Sequence, residues 1–132
     1  MPLRSAEASP EFELLVSKYG DAVASLARRT RKQILSVAPD GAVEEVDPKA
    51  GVIGYGVVSG YAGLACTIIL SRGGVKLGLV GSASWPDPDC LLAGRGNKHR
   101  YVILNPNLVG SPSVARLLES AFAQAGERTR RK

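Results

Sequence analysis

Leu64-Ala65-Cys66-Thr67-Ile68-Ile69-Leu70-Ser71-Arg72-Gly73-Gly74-Val75-Lys76-Leu77-Gly78-Leu79-Val80 decides the fold. Two runs rich in aliphatic and β-branched residues, 64–70 and 75–80, flank a short Ser71-Arg72-Gly73-Gly74 link whose glycines suit the positive φ values of a tight turn. Strands joined so closely pair antiparallel, because a parallel pair needs a crossover of a dozen or more residues. Working outward, residues 43–46 and 52–58 upstream and 101–104 downstream repeat the pattern, each bounded by Gly, Pro, Asn or Asp. About five strands are expected. The glycines at 51, 54, 56, 60 and 63 read as bends and bulges: their order reverses the dinucleotide-binding fingerprint, and no helical pattern follows them.

Helical patterns enclose this block. Ser9-Pro10-Glu11-Phe12-Glu13 has an N-cap serine, a proline at the first helical position and carboxylates near the positive end of the helix dipole. Phe12, Leu15, Val16, Tyr19, Val23, Leu26, Thr30, Ile34 and Val37 then recur at steps of three and four. Gly20-Asp21 interrupts the stripe, giving a short helix to about residue 18 and a longer one over 21–37, with Asp21 as the new cap. Pro39-Asp40-Gly41 closes it. Ser111-Pro112 opens a last helix in which Val114, Leu117, Leu118, Ala121 and Phe122 share a face and Gly126 is the stop. The expected class is α+β: an antiparallel sheet of about five strands with N-terminal and C-terminal helices packed on one face. One domain spans residues 9–126, and a basic disordered tail spans 127–132.

At 132 residues the chain has the length of one domain. Its 45% hydrophobic and 22% charged content is that of an ordinary globular protein. No run is long and apolar enough for a membrane span, and residues 1–10 lack the apolar stretch of a secretory signal, so a cytoplasmic location is expected. Arg128, Arg130, Arg131 and Lys132 supply four of the net +5, leaving +1 over residues 1–127; nucleic acid is therefore not the expected partner. Cys66 and Cys90 lack neighbours at zinc-ligand spacing and read as buried thiols.

The chemistry that can be named lies mostly in residues 85–102. Gly94-Arg95-Gly96-Asn97-Lys98-His99-Arg100 is the candidate anion or partner site: glycine amides can converge on an anion while Arg95, Lys98 and Arg100 supply charge. The structural alternative pairs Arg100 with Asp87 or Asp89, tying the Pro-rich turn to the following strand. Trp85 either lids the core edge or walls a pocket. His99, the single histidine, reads as a surface residue at a strand end, and no nucleophile, base and oxyanion donor assemble from the sequence. Glu11, Glu13 and Asp21 at the N-terminal helices and Glu44, Glu45 and Asp47 at the first strand are the candidate hard-metal ligands.

Asp87-Pro88, Leu91-Leu92-x-Gly94-x-Gly96 and Arg100-x-Val102 together resemble the signature of the YdhG-like family of uncharacterised bacterial proteins. The resemblance extends over about residues 11–125 and implies N-terminal helices, an antiparallel sheet, the glycine motif and a C-terminal helix. Since that family includes a frataxin-like intracellular iron chaperone, it also implies iron as a possible cargo for the six carboxylates. This chain departs in placing Asn97 before Lys98 after the second glycine, and in a basic longer helix with Arg28, Arg29, Arg31 and Lys32. Two functions are carried forward: a small binding domain that engages an anionic ligand or protein partner at the glycine motif without a cofactor, and an iron-binding protein using the carboxylates.

Overall fold

The computed structural model describes residues 9–130. Helix α1 (Pro10–Val16) runs through a single 3-10 turn into α2 (Asp21–Val37). Five strands follow, β1 (Val43–Asp47), β2 (Val52–Gly56), β3 (Leu64–Ser71), β4 (Gly74–Leu79) and β5 (Arg100–Ile103), and α3 (Pro112–Arg130) ends the described chain. The strands form one antiparallel sheet in sequence order, the topology expected when every neighbour is reached through a local connection.

Local chemistry sets the boundaries. Ser9 Oγ accepts the Phe12 N–H at 3.2 Å, and Ser111 Oγ accepts the Val114 N–H at 3.3 Å, so both predicted serine caps act. Gly20 (φ 91°), not Asp21, caps α2, because only glycine adopts that backbone without strain; Asp21 is the first helical residue. Ser71 pairs with Gly74 across the two-residue link Arg72-Gly73, and of the two glycines only Gly74 has a positive φ. Strand β2 ends two residues earlier than expected because Gly56 bulges against the 57–63 loop. A Cβ on Gly56 would lie 2.5 Å from the Gly63 carbonyl oxygen, so this approach needs glycine.

The helices pack on one face of the sheet. Phe12, Leu15, Val16, Ala27 and Ile34 meet Ile53, Tyr55, Ile68, Leu77 and Val102 in a single core, with Leu118, Ala121 and Ala125 of α3 beside them. Arg31 and Glu44 are inside as well: their ion pair is 2.8 Å long with side chains only 4% and 5% exposed. The Tyr55 hydroxyl donates to Glu44 at 2.6 Å, and the Arg31 guanidinium lies 5.5 Å from the centre of the Phe12 ring. The uncovered face carries two cross-strand rows, Asp47-Val52-Ile69-Lys76-Ile103 and Glu45-Gly54-Thr67-Gly78-Tyr101.

Three expectations are corrected. Helix α3 passes through Gly126 to Arg130, so residues 127–130 are helical rather than a loose tail; Arg131 and Lys132 lie outside the described residues. The reason is a clasp: Arg128 donates to the carbonyls of Ala62 (3.2 Å) and Leu64, fastening the last turn to the loop before β3. Cys66 is buried, whereas Cys90 is exposed on the Pro-rich turn with φ 56°, the one positive φ outside glycine among the described residues.

Candidate functional site

Between β4 and β5 the chain makes a long excursion, residues 80–99, that holds both candidate sites. Asp87 organises its first half: its two carboxylate oxygens accept the N–H groups of Leu91 (2.8 Å) and Leu92 (2.9 Å), turning the chain inward. Asp89 reaches the opposite way, accepting from Ser113 Oγ at 2.6 Å and lying 3.5 Å from the Arg116 guanidinium of α3. Neither aspartate meets Arg100.

Arg100 serves the glycine motif itself. Its Nε donates to the Gly96 carbonyl at 2.9 Å and its Nη1 to the Gly94 carbonyl at 3.0 Å. Two carbonyls of the motif thus converge on Arg100 and take its Nε and Nη1 donors, where the sequence suggests an external anion as its partner. The glycines have packing reasons too. A Cβ on Gly94 (φ 104°) would sit 2.8 Å from the Tyr101 ring, and one on Gly96 would sit 2.7 Å from the His99 carbonyl oxygen. Ala93 exchanges two backbone hydrogen bonds with Tyr101, 2.7 and 3.1 Å, so the loop also covers the outer edge of β5.

The exposed members of the motif face elsewhere. Asn97, Lys98 and His99 line a cleft of about 280 Å³ with Tyr61, Gly81, Ser84 and Arg128. His99 is held at both ring nitrogens: Nδ1 accepts the Gly81 N–H at 2.9 Å, and Nε2 is 2.8 Å from the Tyr61 hydroxyl. Because Nδ1 is an acceptor, the neutral ring carries its hydrogen on Nε2 and donates it to the Tyr61 oxygen. The Tyr61 hydrogen is then directed outward. The cleft thereby gathers an ammonium, an amide, a phenolic O–H and the charge of Arg128, with no carboxylate in its lining. Arg95 is exposed and does not line it. Sequence reasoning missed Tyr61 and Arg128; the signal available was the +4 charge at the C-terminus, which reads as a loose tail.

The six carboxylates do not converge: no group of three or more His, Cys, Asp or Glu able to hold a metal occurs among the described residues. Each acid other than the exposed Glu11 and Asp21 is engaged with its own partner. Glu13 takes Arg28 through both oxygens, at 2.9 to 3.1 Å. Glu44 is sunk into its pair with Arg31, Glu45 accepts from Ser59 and the Gly60 amide at 3.2 Å each, and Asp47 accepts the Ala50 N–H at 3.2 Å.

Burial and the nearby Glu44 charge push the Tyr55 hydroxyl well above the ordinary tyrosine range, and burial alone pushes the Cys66 thiol up. Cys66 is therefore a core residue and not a nucleophile.

Fold and clefts define a small α+β domain with one helix-covered face of a meander sheet and a donor-lined cleft at its β4–β5 end. No family model, curated protein or solved structure matches the chain, and the likeness of residues 87–102 to the YdhG-like signature rests on the quoted residues alone. No helix among the described residues is long and apolar enough to cross a membrane.

Proposed function

We propose that the domain is a binding module that takes an anionic group, a phosphate or the carboxylate of an acidic protein partner, in the cleft formed by Asn97, Lys98, His99, Tyr61 and Arg128. The observation that carries this reading is the charge asymmetry of the cleft, which holds two cations and no carboxylate in its lining. Lys98 supplies the free charge, since Arg128 spends N–H groups on Ala62 and Leu64. Tyr61, oriented by His99, and Asn97 supply neutral donors. Gly94, Gly96 and Arg100 build the loop that presents them, and the exposed Arg95 on the same loop adds long-range attraction.

An amide NMR titration with inorganic phosphate and with an acidic peptide tests this. Saturable shifts at residues 97–99 and 61, weakened about tenfold by Lys98→Ala, a loss of about 1.4 kcal/mol, are expected. Added salt should weaken them too. Shifts centred elsewhere, or indifferent to Lys98→Ala, would overturn the reading.

A further inference from the structure

A second cleft, of about 320 Å³, lies between the Pro-rich turn and α3 and shares no lining residue with the first. Its size is at the lower end of the ~300–1,000 Å³ typical of small-molecule sites. Trp85, Pro86, Pro88, Leu91 and Leu117 give it apolar walls, and Ser113, Arg116, Ser120 and Gln124 project into it from α3 at the three and four residue spacing of one helix face.

The hydrogen-bonding balance of this cleft identifies its occupant. Both oxygens of Asp87 hold backbone N–H groups, and Asp89 holds Ser113 and lies against Arg116 through Oδ2 alone. The donors of the cleft are less engaged. Trp85 Nε1 is buried with no acceptor, and the Ser120 and Gln124 side chains have no intramolecular hydrogen bond among the described residues. Arg116 engages Ser113 and Asp89 only through Nη2, at 3.3 and 3.5 Å, and its side chain is 63% exposed. The accessible donors of Arg116, Ser120 and Gln124 are open to an incoming acceptor.

We infer that this cleft binds a small organic carboxylate with a flat apolar body. The body lies against Trp85, the prolines and the leucines, while the carboxylate meets the Arg116 fork with Ser120 and Gln124 beside it. A planar monoanion suits the site better than a phosphate dianion, because the Asp87 and Asp89 side chains line the same cleft and repel a doubly charged group more strongly.

Trp85 is the chain's one tryptophan, so its indole N–H gives a single resonance that reports directly on the site. Phenylacetate is the probe, with benzylamine and 2-phenylethanol as matched controls and inorganic phosphate as competitor. Phenylacetate should shift the indole N–H and the amides of Ser120 and Gln124 saturably, up to about 20 mM, a weak range consistent with so few atoms. Arg116→Gln, at an exposed position, should raise the dissociation constant about tenfold with unchanged thermal unfolding. Phosphate should not compete, which separates this site from the Lys98 cleft. The inference is overturned if benzylamine binds as well as phenylacetate, if Arg116→Gln leaves binding unchanged, or if no shift saturates.

Discussion

Glu44 shows how one side chain can settle two questions. A candidate iron ligand by its sequence position, it is instead the acceptor for Arg31, Tyr55 and Ser9 beneath α1 and α2. Removing one member of a buried ion pair strands the other, at a cost of about 3–5 kcal/mol. Glu44→Ala should lower stability by that amount in urea unfolding followed by Trp85 fluorescence, while Glu45→Ala, at an exposed position, should change it by less than about 0.5 kcal/mol. Alkali is a second probe at this scale. The fold keeps Tyr55 and Cys66 neutral above the pH at which an unfolded chain would ionise them, near ~8.5 for cysteine and ~10 for tyrosine. Their raised values contribute stability that is fully present below those pH values and is lost as pH climbs from about 9 upward. Thermal midpoints measured from pH 7 to 11 should therefore fall above pH 9, and less steeply in Cys66→Ala after allowing for its lower starting stability.

Among the elements, α3 departs furthest from what its residues announce. Glycine near a helix end is ordinarily a stop, and a run of arginines ordinarily a solvated tail; here neither holds, because Arg128 finds two carbonyls 64 to 66 positions away in sequence. No local pattern encodes a partner at that distance. Gly126 is consequently a weak point inside a helix. Its φ is not positive, and a methyl group would fit there, since the nearest atom to a Cβ at this position would be 3.5 Å away. Gly126→Ala should stabilise the protein by about 0.5–1 kcal/mol in urea unfolding. Arg128→Ala should instead speed amide exchange in residues 61–64 and leave the β3–β4 hairpin protected. Elsewhere the elements were legible: amphipathic spacing marks the helices, and short runs between turn residues mark all five strands within a few residues. The glycine motif was legible as a special place but not in its role, since the same Gly-x-Gly and arginine that make an anion nest can make a loop whose carbonyls bind the arginine. Only the direction of the peptide groups separates the two.

At the scale of the whole molecule, a single core joins the helices to all the central strands, so unfolding should be one cooperative transition with coincident fluorescence and circular-dichroism midpoints. The open sheet face stands outside that core. Ile103→Lys, at a side chain already 59% exposed, should leave stability in urea nearly unchanged, within about 0.5 kcal/mol. The cleft near Trp85 escaped the sequence because it is made by two segments, a turn and a helix face, whose proximity only the folded chain creates.

The strap that Ala93 lays along β5 has one more consequence. With the Tyr101 N–H and carbonyl already hydrogen-bonded to Ala93, the five-residue β1 is the longer open border of the sheet among the described residues. A filament grown by edge-to-edge pairing needs two free borders on every unit. Two copies joined β1 to β1 leave only the strapped β5 borders, where further pairing must first displace Ala93 from Tyr101.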